Sequence, residues 1–186
     1  MKLFAVVFLL TIPITMMSQK TSTIFDFSKA NSESEWTIVN DGVMGGISRS
    51  QFKVYEDETA VFNGIVSLEN NGGFASVRTV PQKFELNDYN GIILRVKGDG
   101  LQYKFRLRTD GNFDGVAYSK NFRTVENEWI EIKLPFDEFS PQFRGRILSS
   151  VKSVDPADIK QIGILIADKQ TGEFNLIIDW IRAYKN

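Results

Sequence analysis

The chain has 186 residues, with 22 Lys and Arg against 23 Asp and Glu and a formal net charge of −1. No basic block stands out from the acidic background, which excludes a nucleic-acid footprint. The chain contains neither His nor Cys. That removes thiol nucleophiles, Ser-His-Asp triads, disulfides and the usual zinc and copper ligands, so any catalysis would rest on carboxylates, Lys, Tyr or Ser.

Met1-Lys2 gives a short positive start, and residues 3–17 are apolar apart from two Thr and one Pro. This run is shorter than the roughly 20 residues that span a bilayer. It also lacks the Arg of a mitochondrial transit peptide. It is expected to be a signal peptide over residues 1–19, with an uncleaved membrane anchor as the alternative. The mature chain would then be exported, to a periplasm or outside the cell, with no transmembrane span. No Cys follows the apolar run, which excludes a lipidated lipoprotein.

Past the leader, strand signals run almost to the C-terminus and predict one domain over residues 24–184. Residues 24–27 and 35–39, around Trp36, open it. Residues 47–55 alternate, with Phe52 and Val54 on one face, and 59–68 form a long strand interrupted by Gly64. Residues 74–80 end at Pro81. Ile92, Leu94 and Val96 then face one way, as do Tyr103, Phe105 and Leu107, with Lys104, Arg106 and Arg108 opposite. Gly98-Asp99-Gly100 between these two runs reads as a tight hairpin. Residues 118–123 and 129–134 read as another pair, with Ile130, Ile132 and Leu134 inward. Asp155-Pro156 marks a short helical turn. Residues 162–167 are almost continuously apolar, as at a sheet centre, and 174–184 close the chain. About eleven strands and almost no helix predict an all-β sandwich, a jelly roll. Its expected core contains Trp36, Phe62, Leu94, Phe105, Ile132, Ile164, Leu176 and Trp180.

Many short motifs recur here in one order. They include Trp36 with Asn40-Asp41-Gly42-Val43-Met44-Gly45-Gly46-Ile47-Ser48, Phe62-Asn63-Gly64, and Asn70-Asn71-Gly72-Gly73-Phe74-Ala75-Ser76-Val77-Arg78. Lys97-Gly98-Asp99-Gly100, Phe143-Arg144-Gly145-Arg146, Ile162-Gly163, Asp168-Lys169-Gln170 and Asp179-Trp180-Ile181 follow. Together they resemble the complex I intermediate-associated protein 30 family over nearly all of residues 24–184. The resemblance implies a galactose-binding-domain-like jelly roll and a role in assembling the NADH:ubiquinone oxidoreductase. It supplies no catalytic residues, and the secretory-looking leader sets this chain apart from matrix assembly factors.

The expected function is accordingly a non-catalytic binding or assembly module with a protein or membrane-complex partner. The alternative is a carbohydrate-binding jelly roll for an acidic glycan, with Phe113, Tyr118 and Phe143 as stacking aromatics. A carboxylate-based hydrolase would need two facing carboxylates, and no spacing in the sequence brings two together. A ligand is expected where the glycine-rich rim meets the basic face, at Asp41, Asn70, Asn71, Gly72, Gly73, Arg78, Arg106 and Arg108. Arginine forks there suit an anion. The opposing account has Gly45-Gly46 and Gly72-Gly73 serving strand packing, and the arginines paired internally with Glu131, Asp99 or Glu173. No cofactor is expected. Asp110, Asn112 and Asp114 match the first half of a calcium loop, but position twelve is Asn121, which makes a polar hairpin loop the better account.

Overall fold

A computed structural model describes residues 20–28 and 32–186; the expected leader over residues 1–19 lies outside the described residues. Thirteen strands follow in order: β1 (Lys20–Phe25), β2 (Trp36–Ile38), β3 (Arg49–Val54), β4 (Ala60–Val66), β5 (Ala75–Thr79), β6 (Gly91–Lys97) and β7 (Gln102–Arg108). Then come β8 (Ala117–Arg123), β9 (Trp129–Pro135), β10 (Ser140–Phe143), β11 (Arg146–Ile147), β12 (Gln161–Ile166) and β13 (Gly172–Lys185). Among the described residues the only helical pieces are short 3-10 turns. One of them, Pro156–Asp158, begins where Asp155 and Pro156 mark it, with the Asp155 carboxylate accepting from the Ala157 N–H at 3.0 Å.

Two antiparallel sheets stack on one another. The six-stranded sheet runs β3-β4-β13-β6-β9, with β1 also on β13; the seven-stranded sheet runs β11-β10-β8-β7-β12-β5-β2. Period-2 alternation turns one face of each strand inward. Phe62, Leu94, Val96, Leu176 and Ile178 of the first sheet are buried, as are Val77, Tyr103, Phe105, Leu107, Ile162 and Ile164 of the second. Each such side chain contributes about 1.5–3 kcal/mol by leaving water. Phe25, Phe27, Trp36 and Phe52 make an aromatic cluster, with Trp36 and Phe52 stacked at 4.8 Å. Six of the eight expected core residues are buried: Trp36, Phe62, Leu94, Phe105, Ile164 and Leu176. β12 lies between β7 and β5, which explains its unbroken apolar run.

Four local expectations are corrected. Gly98-Asp99-Gly100 is not a hairpin, because β6 belongs to the first sheet and β7 to the second, so this segment carries the chain across the sandwich. Asp99 holds the crossing by accepting from the Leu101 and Asn175 N–H groups and the Tyr103 hydroxyl. Likewise β8 and β9 do not pair; β8 joins β7 and β10, and β9 joins β6. Trp180 leaves the core. The β13–β6 register shifts between Ile178 and Trp180, so Ile181 and Ala183 take the inward positions. Trp180 instead packs under the Arg182 guanidinium, 4.1 Å from its ring. Ile132 packs on the core only partly buried.

Candidate functional site

The two glycine-rich stretches meet at one carboxylate. Asp41 is 1% exposed. It accepts from the Ser48 hydroxyl and from the N–H groups of Ser48 (3.0 Å), Gly73 (2.7 Å) and Phe74 (3.2 Å). Burial pushes its pKa up, but these four donors outweigh burial and hold the carboxyl below its ordinary value. The glycines make room for this knot. A Cβ on Gly46 would stand 2.4 Å from the Asp41 Cγ, and one on Gly72 2.7 Å from its Oδ2. Asn70 and Asn71 turn the chain in left-handed conformations, φ 55° and 60°. Asp41 is thus committed to donors of the chain itself.

Beside the knot, the outer face of the seven-stranded sheet forms a cleft of about 590 Å³. Strand register makes its floor. Arg106, Gly163 and Arg78 lie in one row across β7, β12 and β5, which Ser119 on β8 and Thr37 on β2 continue beyond the cleft. Arg108 stands two residues along β7, opposite Gln161. Met44, Asn71, Gly72-Gly73, Phe113 and Arg144 line the walls. Phe143 and Arg146 pair across Arg144-Gly145, both at positive φ (47° and 79°), so a two-residue hairpin turn presents Arg144.

Charge in the cleft is unevenly matched. Lys104 pairs with Asp168 at 2.8 Å and Arg144 with Asp114 at 2.6 Å. Arg78, Arg106 and Arg108 have no carboxylate within ion-pair distance among the described residues. Arg78 donates to the Phe113 carbonyl at 3.0 Å and Arg108 to that of Gly115 at 3.3 Å. The Arg106 Nε, the Ser119 hydroxyl and the Gln161 Oε1 are buried without a partner. Burial first, and then the neighbouring Arg108 and Arg78 charges, push Arg106 down to about 10. Burial also lowers Arg78 and Arg108, offset in part by Asp110 and Asp114. The acidic partners of the packing account are elsewhere: Glu131 pairs in register with Arg95, Asp99 holds the sheet crossing, and Glu173 sits on β13.

Of the residues singled out in the sequence, the cleft therefore collects Asn71, Gly72, Gly73, Arg78, Arg106 and Arg108. It omits Asp41 and Asn70. It adds Lys104, Gln161, Gly163 and Arg144, of which only Lys104 was marked by alternation. In the loop after β7, Asp114 is taken by Arg144, and Asp110 accepts from the Asn112 N–H at 3.2 Å. No group of three or more acidic side chains able to hold a metal gathers among the described residues.

Two antiparallel sheets packed face to face, with an open cleft on the outer face of one of them, define a jelly-roll β-sandwich. The Family 11 carbohydrate-binding module of the cellulosomal cellulase Lic26A-Cel5E of Clostridium thermocellum has the same fold. Its TM-score is 0.69 at 14% identity, covering 89% of this chain and 95% of that one. The sequence goes further: residues 25–178 match the model of the complex I intermediate-associated protein 30 family, and the chain belongs to that family. Similar relatives are the probable complex I intermediate-associated protein 30, mitochondrial, of Caenorhabditis briggsae, and the Drosophila melanogaster protein of that name. The first is 28% identical over 89% of this chain and 52% of its own; the second is 24% identical over 87% and 62%. The chain thus spans about half to three fifths of their length.

These relatives overturn two expectations. They are named as mitochondrial proteins, so export to a periplasm or outside the cell is withdrawn. They are named for complex I intermediates, so the carbohydrate-binding assignment is withdrawn as well. Of the three aromatics expected to stack on a sugar ring, Tyr118 is only 8% exposed, and Phe113 and Phe143 each carry a guanidinium over one face, Arg78 at 4.8 Å and Arg144 at 5.3 Å.

Proposed function

We propose that this domain is a non-catalytic assembly module that associates with intermediates of complex I and carries an anion-binding site in the arginine cleft. Membership of the complex I intermediate-associated protein 30 family supports the first half. One observation carries the second: Arg78, Arg106 and Arg108 share a cleft floor with no carboxylate within ion-pair distance, the cleft's own Asp114 and Asp168 being paired with Arg144 and Lys104. Three guanidiniums at close quarters repel one another, and burial raises the cost, so an anion arriving from outside lowers the energy of the site. Each charge-assisted bond it accepts is worth about 1.5–3 kcal/mol.

Two measurements test the halves separately. Affinity capture from mitochondria should retain complex I subunits; a clean capture contradicts the assembly role. In direct titration with small anions, Arg106→Ala with Arg108→Ala should weaken binding at least tenfold, the lower end of that range. Unchanged affinity places the anion elsewhere.

A further inference from the structure

The row Arg106–Gly163–Arg78 has a shape that narrows the ligand. Directly paired residues in a sheet share a face, so both arginine side chains and the side-chain-free position of Gly163 open on the same side. Two strand spacings separate Arg106 from Arg78, roughly 10 Å between backbones, and Arg108 stands roughly 7 Å along β7. The gap between the flanking arginines is floored by main chain alone. It is kept clear by packing: a Cβ on Gly163 would meet the Val77 carbonyl oxygen at 2.7 Å and the Arg78 Cβ at 2.9 Å.

An anion over Gly163 is approached by guanidinium forks from two sides. A planar carboxylate presents its two oxygens along one edge and satisfies one fork. A tetrahedral oxyanion presents oxygens in several directions and serves two or three forks at once. Charge points the same way, since three cations with no carboxylate at ion-pair distance are poorly matched by a single negative charge and better by two. The buried, unpartnered Arg106 Nε and Gln161 Oε1 belong to residues lining the same cleft and add polar capacity. At the mouth, Met44 is 59% exposed and Phe113 is 62% exposed, so apolar surface adjoins the charged floor. A cleft of about 590 Å³ is of small-molecule size.

We propose that the cleft binds a small organic phosphate monoester, with the phosphoryl group over Gly163 between Arg78, Arg106 and Arg108 and the organic part against Met44 and Phe113. This rests on the anion-site reading above and gives it a chemical class. The domain would then be an assembly module that is loaded by a soluble phosphorylated metabolite. Gly163 is the specificity element, because any side chain there fills the phosphoryl seat.

The test titrates the full chain calorimetrically at low ionic strength with phenyl phosphate, inorganic phosphate and benzoate. Phenyl phosphate should bind one to one and be displaced by inorganic phosphate, with benzoate at least tenfold weaker. Arg106→Lys, which keeps the charge and loses the fork, should weaken phenyl phosphate at least tenfold. Arg49→Ala, outside the cleft, should leave it unchanged. Should the cleft variants fold poorly, the wild-type chain still decides the matter, since the Arg106 Nε–H resonance must shift on adding phenyl phosphate. Benzoate binding as tightly as phenyl phosphate overturns the phosphate class and leaves the anion site standing. Neither anion binding, or an unmoved Arg106 signal, overturns both.

Discussion

The molecule buries charge in two neighbouring places and treats it in opposite ways. At Asp41 one carboxylate meets a hydroxyl and three N–H groups, all supplied by the chain itself, and the knot is closed. In the cleft next to it, three guanidiniums find two backbone carbonyls and no carboxylate within ion-pair distance. Burial alone therefore does not mark a functional group. What separates a structural charge from a site is whether the fold already contains its partners.

The closed knot should break expensively. Asp41→Asn keeps the shape but removes the charge from every bond, and Asp41→Ala also strands the Ser48, Gly73 and Phe74 N–H groups. Unfolding by denaturant should show a loss of about 3 kcal/mol or more for the alanine variant and somewhat less for asparagine. A loss below about 1 kcal/mol would mean that the two glycine-rich stretches are held by something else. Gly46→Ala comes next, because its Cβ collides with the Asp41 carboxyl rather than with a flexible chain end. About 2 kcal/mol is expected by the same measurement, in the range of an overpacked site.

Acid should loosen the knot. The Asp41 pKa is depressed on folding, so the unfolded chain takes up the proton more readily. Its stabilisation is complete above the ordinary carboxylate value of 3.8 and is lost as pH falls through the lower folded value. Stability followed from pH 6 down to pH 2 should fall less steeply at the acid end in Asp41→Asn than in the wild type. Parallel acid limbs would contradict the assignment.

How far all this was legible in the sequence depends on the range of the contact. Alternation along single strands placed Phe62, Leu94, Phe105 and Leu176 inward, because a strand's two faces are written every second residue. The same rule misplaced Trp180, since a register shift at one residue reverses the faces beyond it. It also says nothing about which sheet a strand joins, so the crossing at Gly98-Asp99-Gly100 looked like a hairpin. Lys104, Arg106 and Arg108 were visible as one face of one strand. That Arg78 joins them depends on β12 inserting between β7 and β5, and Gly163 then falls between the two arginines. Asp41 looked like a surface candidate because its donors Gly73 and Phe74 lie more than thirty residues away.

The smallest expected effect is the most telling. Removing an unpaired guanidinium from a crowded floor relieves repulsion and strands no carboxylate, so Arg106→Ala should change the stability of the free protein by no more than about 1 kcal/mol, the range of substitutions that break no buried pair. Melting temperature, recorded for wild type and Arg106→Ala with and without phenyl phosphate, tests the central claim in one experiment. The account predicts equal or higher melting for the free variant, with the ligand-induced rise seen in the wild type abolished. A variant that melts as early as Asp41→Asn, yet is still raised by phenyl phosphate as much as the wild type, would show that the arginines hold the sheet and that the ligand sits elsewhere.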